Sequence, residues 1–379
     1  MKIQSHRRLA SLTGVALAGV LALSGCGSDD NTTATPGAGG SSAGAGAQDR
    51  TDCPTGTLNA EGSSAQKNAI EEAIRTFQQK CPGASVNYSA SGSGAGIKQF
   101  IARQVDFGGS DSPLKAEVKD GKIEADDAAK ACGSPAWNLP MVTGPVAFAY
   151  NLKGVDNLVI TPEVAAKVFN GVITKWNDPA IMAINKEATL PDLAVKVFFR
   201  SDDSGTTENF TKWLSAAAPS AWSAEAGKKW TGKGEGKPQN TGVATAVKNT
   251  EGAVTYTEWS FARDNKLGIA RVDNGGGPVE LSAESVGKSV ATAEQVGKGN
   301  DLSLKLDYAT KEAGAYPILL VAYEIVCSRA KDPATAALTK AFLKHFSSTE
   351  TQKSLESLGY APLPAAVQAK VSIAIDALS

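Results

Sequence analysis

Histidine is nearly absent from this 379-residue chain, which has only His6 and His345. His6 falls in an N-terminal leader, so the folded part keeps one imidazole, and Ser-His-Asp or Cys-His catalysis loses its base. His345 sits in a helical pattern with an apolar face, where a structural or surface role fits it. No CxxC spacing occurs, and with one histidine left a zinc site has too few ligands. There is no GxSxG elbow, and the run GSGAGIK at 92–98 matches neither GxxxxGK[ST] nor GxGxxG. Basic excess is missing too. With 38 Lys and Arg against 39 Asp and Glu, the formal charge is −1, which is no footprint of a nucleic-acid binder. These absences leave no enzyme template, no metal and no cofactor to expect. They point toward binding.

The N-terminus carries His6, Arg7 and Arg8, then an apolar run at 9–23 that is too short to stay in a bilayer as a permanent span. It ends in Leu23-Ser24-Gly25-Cys26, a bacterial lipoprotein cleavage pattern. Residues 1–25 therefore read as a signal peptide, with Cys26 as the lipidated first mature residue; ordinary secretion with an incidental cysteine is the alternative. Cleavage removes Lys2, Arg7 and Arg8 and no acid, leaving 35 basic and 39 acidic residues, a formal −4. An anion binder with such a surface must rely on local donors. Residues 27–50 lack any bulky apolar side chain and form a tether whose ends average about 25–30 Å apart as a flexible coil. Four cysteines remain, Cys53, Cys81, Cys132 and Cys327. An even number in an exported chain suggests two disulfides, with three possible pairings. Cys53 and Cys81 bracket the first strand-helix unit, which favours that pair and leaves Cys132 with Cys327.

Strand patterns alternate with helical ones, so the fold class is α/β. Short strands are expected at 57–59 and 86–88, and buried ones at 146–151, 195–199 and 318–327. Ala69, Ile70, Ala73, Ile74 and Phe77 recur at helical spacing, as do Ile97, Phe100, Ile101 and Val105. Helices are expected at 162–169, 208–214 and 334–346, and the glycine-rich stretches 232–236 and 274–277 read as surface loops.

Three strand-to-helix corners rich in small polar residues stand out: Gly62-Ser63-Ser64, residues 91–96 (SGSGAG), and Ser204-Gly205-Thr206. The last follows an apolar run ending in Arg200. Helix starts present unpaired N–H groups and a partial positive charge, and an arginine adds a planar fork of donors for an oxyanion. Asp111 is the odd member. A fully ionised oxyanion has no use for a carboxylate, whereas hydrogen phosphate can donate its P–OH to one, and sulfate cannot. Read alone, Asp111 in Ser110-Asp111-Ser112-Pro113 serves as readily to cap a turn.

The segments VNYSASGSGAGIKQFIARQVDFGGSDSPL (86–114), VFNGVITKWNDPAI (168–181), RSDDSGTT (200–207), GAVTYTEW (252–259) and LGYAPLP (358–364) together resemble the PstS family of phosphate-binding proteins of bacterial ABC transporters. The resemblance spans nearly all of the folded region. It implies a two-lobed type II periplasmic-binding-protein fold with a ligand cleft between the lobes and two hinge crossovers. The expected division is lobe 1 at 51–145 and 315–379, and lobe 2 at 146–314. Carried over residue by residue, it implies phosphate ligation by Ser64, the Ala65 backbone, Ser93, Asp111, Arg200, Ser204, Gly205 and Thr206, with Asp202 orienting the arginine. It further implies inorganic phosphate as ligand, permease subunits of the PstC and PstA type and indirectly their ATPase as partners, a monomer, and a lipid-anchored position on the outer face of the cytoplasmic membrane. Three departures mark this chain. Ser64-Ala65 stands where the family often has Thr-Phe, Asp203 replaces a common glycine, and Gly94 stands where a second serine sometimes sits.

Overall fold

A strand that changes partners midway organises the molecule. The computed structural model describes residues 53–118, 121 and 123–379; the expected signal peptide, lipidated Cys26 and tether lie outside the described residues. The strand Ala136–Tyr150 pairs antiparallel with Leu319–Cys327 through Pro145, then from Val146 onward with Ala253–Glu258. One nine-stranded sheet results. Its order is Ala84–Ser89, Gly56–Gly62, Phe107–Ser110, Leu319–Cys327, Ala136–Tyr150, Ala253–Glu258, Lys196–Arg200 and Glu235–Lys237, with Gly268–Ile269 pairing off the long strand. The outer strands on each side run parallel to their neighbours, and the central strands run antiparallel. Every residue of Leu319–Cys327 is buried, which explains its largely apolar sequence; the one charged residue, Glu324, accepts Gln66 Nε2 at 2.8 Å.

The helices form where the apolar spacing places them. Helix Lys67–Lys80 buries Ala69, Ile70, Ala73 and Phe77, and the Phe77 ring meets Phe342 edge-on at 5.5 Å. Phe342, on helix Pro333–Ser347, also stacks on Phe107 at 5.8 Å. Helix Pro162–Phe169 begins at Thr161, whose Oγ1 accepts the Val164 N–H at 3.3 Å, with proline in the first turn. Helix Gly205–Ala217 begins at Ser204, whose Oγ accepts the Thr207 N–H at 3.1 Å. Both disulfides, Cys53–Cys81 and Cys132–Cys327, take the favoured pairing. His345 lies 2.7 Å from Thr76 Oγ1, and burial lowers its pKa, so it is a packed structural imidazole.

One expectation is corrected. Residues 232–236 are not wholly a surface loop, because Glu235–Lys237 is an edge strand parallel to Lys196–Arg200. Three residues carry too little periodicity to signal a strand; the neighbouring backbone supplies the order.

The strands Gly56–Gly62, Phe107–Ser110 and Lys196–Arg200 deliver their carboxyl ends to one region, the usual ligand position in open α/β sheets. There the backbones press together. A Cβ at Gly96 would lie 2.6 Å from Glu61 O, 2.6 Å from Gly62 Cα and 2.8 Å from Gly109 O, all main-chain atoms. In an open helix Gly→Ala stabilises by about 1 kcal/mol. Here the collision reverses the sign, and Gly96→Ala should lower unfolding stability by about 1–3 kcal/mol. Urea unfolding checks this, and a raised midpoint would contradict the packing.

Candidate functional site

The corner residues converge on Asp111. Its carboxylate, 3 % exposed, accepts the Ser63 hydroxyl on Oδ1 and the Thr206 hydroxyl, at 3.4 Å, on Oδ2. The Asp111 N–H donates to Ser93 Oγ at 3.1 Å, and its C=O accepts Asn209 Nδ2 at 2.8 Å. Burial pushes the Asp111 pKa up to about 6, against hydrogen bonds from Ser63 and Ser93 and the charges of Arg200 and Lys228.

Arg200 is buried as well, at the end of its strand. Its Nε donates to Asp202 Oδ1 at 2.8 Å, and Nη2 pairs with Asp202 Oδ2. Nη1 donates to Thr206 Oγ1 at 3.3 Å. A guanidinium has five N–H donors, so each terminal nitrogen keeps one hydrogen for the cleft. Burial pushes Asp202 up, but its bonds to Arg200 and the Gln239 N–H more than offset this and hold it below the usual range. Asp202 thus engages the Arg200 fork through both carboxylate oxygens.

The hydroxyls share one wiring pattern. Ser64 Oγ accepts the Asn240 N–H at 3.3 Å and Asn240 Nδ2 at 3.1 Å. Ser93 Oγ accepts the Asp111 N–H, Ser204 Oγ accepts the Thr207 N–H, and Thr206 Oγ1 accepts Arg200 Nη1. An N–H cannot accept, so each hydroxyl can only donate: Thr206 gives its hydrogen to Asp111 Oδ2 and Ser93 bonds the same carboxylate, while the Ser64 and Ser204 hydrogens are left for the cleft. The N–H groups of Gly205 and Thr206 open a helix and have no partner within it. A Cβ at Gly205 would lie 2.5 Å from Ser93 Oγ and 2.6 Å from Asp111 Cβ, so only glycine lets this helix start approach the opposite loops.

Contacts bridge the two sides. Gly94 N–H donates to Asp203 O at 2.9 Å, and Lys98 pairs with the Asp203 carboxylate at 2.7 Å. Asp203, the added acid, is therefore committed to a lysine. A Cβ at Gly94 would collide with Asp203 Cβ, so two of the three departures from the family pattern accommodate each other. Ser112 Oγ donates to Glu208 Oε2 at 2.9 Å. Burial pushes Glu208 up, but Lys228, Lys212 and Lys115 around it hold its pKa well below the usual range.

All of Ser64, Ser93, Asp111, Arg200, Ser204, Gly205 and Thr206 come together here. Ala65 is at the same loop, but its N–H donates to Ser63 Oγ at 3.1 Å and its C=O accepts the Tyr360 hydroxyl at 2.7 Å. Sequence reasoning missed Ser63, Asn240, and the Glu208–Lys228–Ser112 cluster. Ser63 lay in a quoted Gly-Ser-Ser corner and could have been found there; the others carry no local signal.

With this geometry in view, known proteins place the chain. Residues 37–350 match the PBP superfamily domain. The chain is 46% identical over 378 residues to phosphate-binding protein PstS 3 of Mycobacterium tuberculosis strain H37Rv, covering 98% of this chain and 99% of that one. It is 34% identical over 289 residues to phosphate-binding protein PstS of Xylella fastidiosa, covering 74% and 75%. Among solved structures it resembles a high-affinity periplasmic phosphate-binding protein bound with phosphate at pH 8.5 (TM-score 0.66, 20% identity, 84% and 93% covered). It resembles equally a phosphate-binding protein from Stenotrophomonas maltophilia (TM-score 0.66, 18% identity, 84% and 94% covered). The chain therefore belongs to the PBP superfamily, with the two-lobed type II periplasmic-binding-protein fold, and within it to the PstS phosphate-binding proteins.

The Asp111 pKa has a thermodynamic consequence. It lies near 6 in the folded protein against an ordinary 3.8, so the folded state holds this proton more tightly than the unfolded chain. The buried charge then destabilises the protein fully above about pH 6, and the penalty vanishes below about pH 4. At about 1.4 kcal/mol per pKa unit, Asp111→Asn should stabilise the ligand-free protein by up to about 3 kcal/mol at pH 8 and by little near pH 4. Thermal melts of both proteins across that range check it; a gain independent of pH would contradict the assignment.

Proposed function

We propose that this chain is an extracytoplasmic receptor that binds inorganic hydrogen phosphate in the closed site and delivers it to the permease of an ABC transporter. The observation that carries the reading is the buried carboxylate of Asp111, set among hydroxyl, guanidinium and helix-start donors. Arg200 gives its two remaining hydrogens to phosphate oxygens. Ser64 and Ser204 give their hydroxyl hydrogens, Ser93 and Thr206 give theirs once the ligand's P–OH takes over their bonds to Asp111, and Gly205 and Thr206 give their backbone N–H groups. Ala65 contributes its N–H, shared with Ser63 Oγ. Asp111 accepts the P–OH. Charged hydrogen bonds in a water-excluded site replace the anion's hydration. The PstS relatives over nearly full length support transport as the context. The leader, Cys26 and the low-complexity tether support a lipidated monomer held on the outer face of the cytoplasmic membrane, facing permease subunits of the PstC and PstA type.

The mode of action is binding without turnover. Sulfate, lacking a proton at neutral pH, turns a lone pair and a negative charge toward Asp111 and leaves that acceptor unpaired. Isothermal calorimetry of the purified protein should show phosphate and arsenate binding, with sulfate weaker by at least about a hundredfold. Arg200→Ala should weaken phosphate by at least about a hundredfold, because a buried anion loses a charged partner. Sulfate bound as tightly as phosphate would overturn the reading, as would steady phosphate release from a chromogenic ester by metal-free protein.

A further inference from the structure

Asn240 is fully buried and is the second residue of helix Gln239–Lys248. Its amide can face only one way. Oδ1 accepts the Glu258 backbone N–H at 3.0 Å and the Thr257 hydroxyl at 2.9 Å. A backbone N–H is always a donor, so the oxygen must lie on that side and Nδ2 on the other. Nδ2 then reaches Ser64 Oγ at 3.1 Å and Thr206 Oγ1 at 3.4 Å. The Asn240 N–H adds a second donor to Ser64 Oγ at 3.3 Å. The helix start is itself held, because the Gln239 N–H donates to Asp202 Oδ1 at 2.9 Å and Gln239 takes a φ of 60°, a left-handed conformation rare outside glycine. Asp202 therefore fixes both the Arg200 fork and the position of Asn240.

A hydroxyl with free lone pairs can turn and either donate or accept. One whose lone pairs face N–H donors can only donate outward. We propose that Asn240 is a positioning residue for phosphate. By filling the acceptor side of Ser64 and Thr206, it leaves each hydroxyl only a hydrogen to give: that of Ser64 goes to the ligand, and that of Thr206, given to Asp111 Oδ2 at 3.4 Å in this structure, passes to the ligand when the ligand's P–OH claims Asp111. Ser64 follows the strand Gly56–Gly62, whereas Asn240 opens a helix on the other side of the central strands. Ser64 thus gains its fixed donor direction only when the two sides meet, which couples closure to ligand recognition. This inference rests on the phosphate-binding reading.

The test is a double-mutant cycle read by phosphate calorimetry. In the wild-type background, Asn240→Ala should weaken phosphate binding at least tenfold. In a Ser64→Ala, Thr206→Val background, the same change should cost less than about twofold, because the hydroxyls through which Asn240 acts are gone. Should Asn240→Ala fail to fold, Asn240→Leu, which keeps the side-chain shape without the donor, is read in the same cycle. Equal losses in both backgrounds would show Asn240 to be a structural support only and would overturn the proposal. Failure of the wild type to bind phosphate would instead overturn the functional reading, and the proposal with it.

Discussion

A carboxylate taken out of water among hydrogen-bond donors is the constraint from which the rest of the site follows. Burial alone disfavours the Asp111 charge, and its pKa rises to about 6 despite Ser63, Ser93, Arg200 and Lys228. Such a group is tolerated because it accepts hydrogen bonds, and it is useful because a donor-rich ligand site otherwise has nothing to offer a P–OH. The neighbouring groups accordingly divide their labour. Ser63 and Thr206 give their hydrogens to Asp111 and Ser93 bonds the same carboxylate, whereas Ser64 and Ser204 accept N–H groups and keep theirs.

That division depends on the two sides of the molecule being in contact. The donors behind Ser64 come from Asn240, and the Asp111 carbonyl is held by Asn209, so residues far apart in sequence define each other's hydrogen-bonding direction. The same closure seats Lys98 on Asp203 and Ser112 on Glu208. Lys98–Asp203 is partly solvent-exposed and is worth at most about 1 kcal/mol. The buried Glu208, ringed by lysines, is the stiffer joint. The junction between the two sides thus has its own polar contacts.

Much of this arrangement was legible in the sequence because it is local. Glycine and serine beside a strand end mark a close-approach corner, and the helices at 67–80, 162–169 and 333–347 follow from apolar spacing and caps. Arg200, Asp202 and Ser204 lie within one turn of chain, so their cooperation can be read from spacing. Family resemblance then selected Ser64, Ser93 and Asp111 from among many turn-forming residues. Asn240 stayed hidden because its partners Ser64 and Thr206 are distant in sequence and an asparagine near a helix start is ordinary. Glu208 stands in the first turn of helix Gly205–Ala217 with no local sign of its role, and only the fold surrounds it with Lys115, Lys212 and Lys228. The strand Glu235–Lys237 was invisible because its pairing partner, not its own residues, makes it a strand. What sequence conceals here is chiefly what contacts between distant residues create.

The central claim is that the site identifies its anion by the hydrogen the anion carries. The most direct measurement is the ratio of sulfate to phosphate affinity, titrated side by side at neutral pH in the wild type and in Asp111→Asn. An amide can donate to an unprotonated oxygen, so the account predicts that the preference for phosphate collapses and sulfate binding strengthens. An unchanged ratio would contradict it.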